Sequence, residues 1–306
     1  KIKKNIHFPS QNGDAVPPPS CMAFLIPSPP SRRWHERLDF FHGRKNWQPK
    51  HCNFSQQFAN RAPPSNLVFN SKVEGTIFTT PTSNFGSRVR HVLLALALED
   101  KFIQKRPPGF KTPEFKVISP FGKIPALLLP DGLVIPESDV ICRYLIERHW
   151  SQGGSDLWPS SAETAAVGNF LIRTHDIYMH PNQKALYGTM DEAERQKCFD
   201  GIRANLDIIE AYLDPDSPLV AGDSLTLPDI SLYPTFVYYQ YILPRCWGWA
   251  AEEVFEGRPK LQRWWRRVLE DPIAQRIKAD IESGLERWAS PPDGRIYKLM
   301  ASLGRA

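Results

Sequence analysis

Glu137 and Ser138 place a carboxylate beside a hydroxyl where an apolar pattern of helical spacing begins, with Val140, Ile141, Tyr144 and Leu145 recurring along it. Upstream, residues 126–129 and 133–135 are short apolar runs on either side of Asp131-Gly132, a pair that predicts the turn of a β-hairpin. Pro125 opens the first run, where proline can start a strand or carry a cis bond but would block a central strand. A Glu and a Ser at a helix N-terminus, beside a backbone edge fixed by proline, can hold a small peptide by its main chain and its charged ends.

The stretch 121–138 resembles the glutathione-binding half of a cytosolic-type glutathione transferase, and the chain is most similar to the phi and tau classes that use serine. The likeness runs from about residue 76 to 285. It implies that the backbone of Ile124, before a cis Pro125, pairs with the cysteinyl unit of glutathione. It implies too that Glu137 takes the γ-glutamyl ammonium and Ser138 its carboxylate. In those classes a catalytic serine stands five residues before an Arg-Val pair, and Ser83 stands so before Arg88-Val89. Its hydroxyl would donate to the glutathione sulfur and favour thiolate over thiol, aided by the helix N-terminus. Ser83 can equally be read as a plain helix cap, and Thr82 and Ser87 are the neighbouring hydroxyls. Phi-class enzymes carry a His-Lys-x-Pro-Glu stretch whose Lys meets the glycine carboxylate. Lys111 matches it in Phe110-Lys111-Thr112-Pro113-Glu114, with Phe110 in place of the His. Lys123 stands where many relatives have Gln and could also reach a carboxylate. Solvated lysines and a capping Glu-Ser pair are the plainer readings of the same residues.

Three functions compete. The resemblance implies a transferase that attacks an apolar electrophile, or a hydroperoxide, with the glutathione thiolate, glutathione being a co-substrate. Phe85, Tyr178 and His180 are the candidates for the electrophile wall, between the loop after the first strand and the first helix of the second domain. A thiol reductase of the same fold would carry Cys where Ser83 stands. A non-catalytic adapter, like the γ subunit of translation elongation factor 1B, would be expected to lose ligand-site residues that remain here. No G-x-S-x-G surrounds Ser83, which disfavours a serine hydrolase. Relatives of this kind are commonly homodimers.

These residues need two domains to position them. The expected fold class is α/β followed by all-α: a thioredoxin-like domain (βαβ-ββα) over 74–150, a linker over 151–160 and a helical domain over 161–288. Strands are expected at 76–80 and 101–105, and a helix at 87–99 with Val89, Val92, Leu93, Leu96 and Ala97 on one face. A short turn at 114–117 and a helix from 137 to about 149 complete the first domain. Helices are expected at 161–179, 191–213, 227–243, 259–269 and 272–286. Thr226 caps the third, with Pro228 in its first turn and Asp229 at the capping-box position. The aromatic run 236–241, Trp247 and Trp249 read as core or interface, His175 and His180 as packing or surface groups rather than metal ligands, and the tail 289–306 carries no function legible in its residues.

Net charge is +5, but residues 1–73 carry 11 Lys/Arg against 3 Asp/Glu, and the rest carries 27 against 30. The folded body is thus no nucleic-acid binder by charge. The head holds 10 of the 29 prolines and no apolar periodicity, the mark of a disordered segment. From Met22 its small, hydroxylated and basic residues predict an organelle transit segment, plastid before mitochondrion, with a cytoplasmic tail as the alternative. Residues 1–21 then read as lying upstream of the true start. Cys21, Cys52, Cys142, Cys198 and Cys246 are scattered without metal-ligand spacing, which disfavours a disulfide framework or zinc site. No apolar run reaches the length of a membrane helix.

Overall fold

The run Gly-Thr-Ile-Phe forms β1 (Gly75–Phe78), a buried strand inside a four-stranded sheet. The computed structural model describes residues 72–250 and 252–305, all within one compact unit. The expectations for the basic head, with Cys21, Cys52 and the run from Met22, lie outside the described residues. β2 (Phe102–Lys105) pairs parallel to β1 with Gly75 opposite Phe102. On its other side β1 pairs antiparallel with β3 (Ala126–Leu128), and β3 pairs antiparallel with β4 (Val134–Pro136). The hairpin turns at the Asp-Gly pair: Gly132 (φ +90) donates its N–H to Leu129 O, and Asp131 Oδ1 accepts from Leu133 N.

Three helices clothe this sheet, α1 (Asn84–Ala95), α2 (Pro113–Ile118) and α3 (Ser138–Arg148). α1 and α3 pack Val89, Val92, Leu93, Ile141 and Leu145 over Ile77 and Leu127 on one face. α2 covers the opposite face, with Phe115 against Phe78, Ala126 and Leu128, as strand alternation requires. Two expectations are corrected in α1. It starts at Asn84 rather than 87, because Ser83 caps it with Oγ accepting from Gly86 N at 3.0 Å. It ends at Ala95 rather than 99, because the chain turns left-handed at Ala97 (φ +52), which is exposed and not on the buried face. In α3 Val140 is likewise exposed, while Ile141 and Leu145 are buried.

The linker forms two 3-10 turns, Trp150–Gln152 and Gly154–Leu157, joined at Gly153 (φ +100). The helical part comprises α4 (Ala162–Thr174), α5 (Glu192–Tyr212), α6 (Leu227–Trp247), α7 (Pro259–Val268), α8 (Pro272–Ala289) and α9 (Arg295–Ser302). The first expected segment, 161–179, does not stay α-helical. It widens into a π turn at His175–Met179 and tightens into a 3-10 turn at His180–Leu186. In the tail, α9 buries Ile296, Leu299 and Met300 against the helical core. Phe236, Val237, Tyr238, Tyr239 and Tyr241 of α6 are all core.

α6 is held by its first turn. Thr226 and Asp229 form the expected capping box. Asp229 is fully buried and accepts from four donors: Val220 N (2.9 Å), Thr226 N and Oγ1 (3.0 Å each) and Trp264 Nε1 (2.8 Å). One carboxylate thus ties the loop before α6, its cap and α7 together. Asp229→Ala leaves all four donors unpaired in the core and is expected to lower unfolding free energy by about 3–5 kcal/mol. Urea denaturation measures this; a loss near the effect of an exposed substitution would refute the role.

Candidate functional site

A cleft of about 730 Å³ opens where the start of β3, the ends of the sheet loops and the π turn meet. Ile124–Pro125 is cis, and the backbone N–H and C=O of Ile124 take no partner among the described residues. Ser119 fixes the turn before it, donating from Oγ to Lys123 O (2.7 Å) and accepting from Lys123 N (3.1 Å). Gly122 (φ +61) lets the loop bearing Lys111 press close, since a Cβ there would lie 3.0 Å from Lys111 Cα. Lys111 (φ +64) and Glu137 (φ +71) are both non-glycine residues in the left-handed region. Such backbone costs about 1–3 kcal/mol per residue and gathers at functional sites. Here both strained residues line the cleft.

Glu137 precedes α3 yet makes no side-chain cap bond to it. Its carboxylate forms no ion pair among the described residues, although Lys111, Lys123, Arg173 and Arg295 line the same cleft, also without ion pairs there. Capping therefore does not account for Glu137. Ser138 is buried as the first residue of α3, and its Oγ accepts from Arg88 Nη1 at 3.3 Å.

Arg88 is the buried centre of the site. Its Nη2 donates to Asp176 Oδ1 at 2.7 Å, and its guanidinium lies 4.6 Å from the centre of the Phe85 ring. His175 is enclosed, with Nδ1 2.6 Å from Arg88 Nη2 and 2.8 Å from Asp176 Oδ1, and Nε2 2.6 Å from Thr235 Oγ1. Burial pushes His175 down to about 4, and the Arg88 charge adds to this, so the ring is neutral at pH 7. Burial alone would raise Asp176. The His175 hydrogen bond and the Arg88 charge outweigh it and hold the carboxyl well below the usual carboxylate range. With Asp176 cancelled by Arg88, the cleft keeps a cationic surplus around the single open carboxylate of Glu137.

The cleft brings together Lys111, Lys123, Ile124, Pro125, Glu137, Ser138, Phe85 and His180 of the residues singled out from the sequence. His180 packs edge-on to Phe85 at 4.5 Å and is held by Gln183 at 3.0 Å. Tyr178 is not part of it. The π turn shifts the helical phase, so Asp176 and Ile177 face the cleft and Tyr178 is 61% exposed. Ser83 is also absent from the lining. It stands between Phe85, on the cleft, and Thr79–Thr82, which line a second cavity of about 510 Å³. Phe110 walls both.

Sequence reasoning missed Arg88 as a site residue, along with Asp176, Arg173 and Arg295. A signal existed for Arg88. Asn84, Arg88 and His91 recur at helical spacing, and all three are buried facing the helical part. Asn84 donates to Gln183 Oε1 and Thr235 Oγ1 at 3.0 Å each, and His91 Nδ1 lies 3.0 Å from Tyr233 Oη. Nothing in the tail sequence marked Arg295. Cys142 and Cys198 are buried, Cys246 half-buried, and burial pushes the Cys142 thiol far up. Among the described residues no group of three His, Cys, Asp or Glu could hold a metal ion, and no helix is long and apolar enough to cross a membrane.

Residues 82–148 match the family described as glutathione S-transferase, N-terminal domain, and residues 169–272 match glutathione S-transferase, C-terminal domain. Glutathione S-transferase 3 of Zea mays is 31% identical over 184 residues, 56% of this chain and 77% of that protein. The glutathione S-transferase-like protein LUC7 of Fusarium sp is 34% identical over 194 residues, 60% of this chain and 84% of that protein. Among solved structures, glutathione S-transferase III in its apo form aligns at a TM-score of 0.56 and 27% identity, covering 68% of this chain and 97% of that one. Glutathione transferase F2 from Populus trichocarpa aligns at 0.57 and 23% identity, covering 69% and 100%, and shows the fold alone.

The neutral, buried histidines make stability depend on pH. His175 and His91 are both pushed down to about 4 by burial, from an ordinary value of 6.5. Between those values the unfolded chain binds more protons, so their contribution is full above pH 6.5 and is lost as pH falls toward 4. His175→Gln is expected to flatten this slope, which for one such histidine amounts to roughly 3 kcal/mol across the window. Denaturation midpoints from pH 7 to 4.5 check it; a wild-type stability that is flat there would contradict it.

Proposed function

This chain belongs to the glutathione S-transferase family, and from that premise we propose that it conjugates the glutathione thiolate to apolar electrophiles, or reduces hydroperoxides with it, Ser83 stabilising the thiolate. The observation that carries the reading is the convergence of the open Ile124 main chain, the unpaired Glu137 and two unpaired lysines on one cleft. Glutathione has two carboxylates and one ammonium, and the cleft offers the complementary set. Glu137 takes the γ-glutamyl ammonium. Ser138, whose oxygen accepts from Arg88, keeps its hydroxyl hydrogen to donate to the neighbouring carboxylate. Ile124 pairs with the cysteinyl main chain, and Lys111 and Lys123 face the glycine carboxylate.

Ser83 accepts from Gly86 N with its oxygen, so its own hydrogen is free to donate. A donor at the first turn of α1 favours the thiolate, both by hydrogen bonding and by the helix dipole. The thiol proton leaves to solvent. The sulfur lone pair then forms the S–C bond, and the leaving group departs with its electron pair. The reductase reading has no cysteine in the cleft lining to support it. The adapter reading leaves the strained Lys111 and Glu137 without purpose.

Ser83→Ala in the full chain is expected to lower kcat for conjugation of 1-chloro-2,4-dinitrobenzene by roughly a hundredfold, with glutathione KM moved less. Ser83→Thr keeps cap and donor and should retain most activity. The lost cap in Ser83→Ala should also cost about 1 kcal/mol of stability, read separately by thermal denaturation. Wild-type kcat in Ser83→Ala would assign the sulfur to another donor.

A further inference from the structure

The second cavity is lined in part by Thr79–Thr82, the residues directly before Ser83. Four of its lining residues are cationic, Arg90, Lys105, Arg106 and Arg287, and none is acidic. Lys105, Arg106 and Arg287 form no ion pair among the described residues. Arg90 Nη2 is paired with Asp280 at 2.5 Å, but Arg90 Nη1 is buried without a hydrogen-bond partner. A buried guanidinium nitrogen without a partner calls for an acceptor, even where the charge of the group is met elsewhere. The apolar walls are Phe110 and Trp288. Trp288 packs edge-on to Tyr187 at 5.5 Å, and Arg295 lies over both rings. Phe110 walls both this cavity and the cleft assigned to glutathione, and Ser83 stands in the chain between Thr82 of the one lining and Phe85 of the other.

Resting on the transferase reading, we propose that this second cavity is the electrophile site and that it selects electrophiles carrying an anionic group, such as a carboxylate or sulfonate, on an aromatic body. The ring lies between Phe110 and Trp288, and the anion meets Arg90, Arg106 and Arg287. With an aryl chloride the thiolate forms the S–C bond, and chloride leaves with the C–Cl electron pair. No further reactant is required.

The test compares 1-chloro-2,4-dinitrobenzene, which is neutral, with 4-chloro-3,5-dinitrobenzoate, at saturating glutathione with the full chain. Each kcat/KM is divided by the uncatalysed rate constant with glutathione, which removes intrinsic reactivity. The expected result is a corrected preference of about tenfold or more for the benzoate at low salt, shrinking as salt rises. Arg106→Gln with Arg287→Gln should pull that preference toward one. Both side chains are exposed, and an unchanged thermal midpoint shows that the fold is kept. Turnover of the neutral electrophile with no preference for the benzoate overturns the anionic site and leaves the transferase reading standing. Bound glutathione with turnover of neither electrophile overturns both.

Discussion

A single buried guanidinium holds the site together. Arg88 is 1% exposed, and a charge so buried persists only when it is paired and hydrogen-bonded. Its partners come from three places in the chain: Asp176 on the π turn, Ser138 at the start of α3 and the face of Phe85. The sheet-bearing part and the helical part are therefore joined by the group that also fixes the direction of a cleft hydroxyl. Removing it would strand the Asp176 carboxylate and free the Ser138 hydroxyl to rotate.

The rest of α1 extends this seam. Asn84 and His91 meet Gln183, Thr235 and Tyr233 along the same stripe, and Arg90 reaches Asp280 of α8. The loop before α1 is held equally closely. Tyr238 Oη donates to Thr82 O, and Gly284 of α8 faces Thr82, where a Cβ would fall 1.9 Å from Thr82 Oγ1. Only a residue without a side chain allows α8 to approach the loop so closely. The loop before Ser83 is thus held from both sides, and Ser83 stands in the chain between the linings of two cavities of different character. One offers open peptide groups and mixed charge, and the other aromatic walls and cations.

Much of this was legible in the chain. The hairpin, the Glu-Ser helix start and the Thr226–Asp229 box are local signals, set by turn chemistry and capping, and they survive folding unchanged. The apolar face of α1 was visible by its period, but the polar stripe beside it was not read, because polar residues on a helix ordinarily face water. Its burial depends on α6 and the π turn arriving from more than eighty residues away. Tyr178 was misplaced for a related reason: a π turn alters the helical phase without any residue type that marks it. Arg295 reaches the cleft on a terminal helix whose weak local pattern acquires meaning only against the finished core.

Calorimetric titration of glutathione into the full chain and into Arg88→Lys tests the central claim most directly. Lysine retains the charge that Asp176 requires but cannot serve Asp176 and Ser138 together, as the forked guanidinium does. The account predicts that the wild type binds glutathione and that Arg88→Lys, still cooperatively folded, binds about tenfold or more weakly. Equal affinity in the two proteins, or no binding by the wild type, would contradict it.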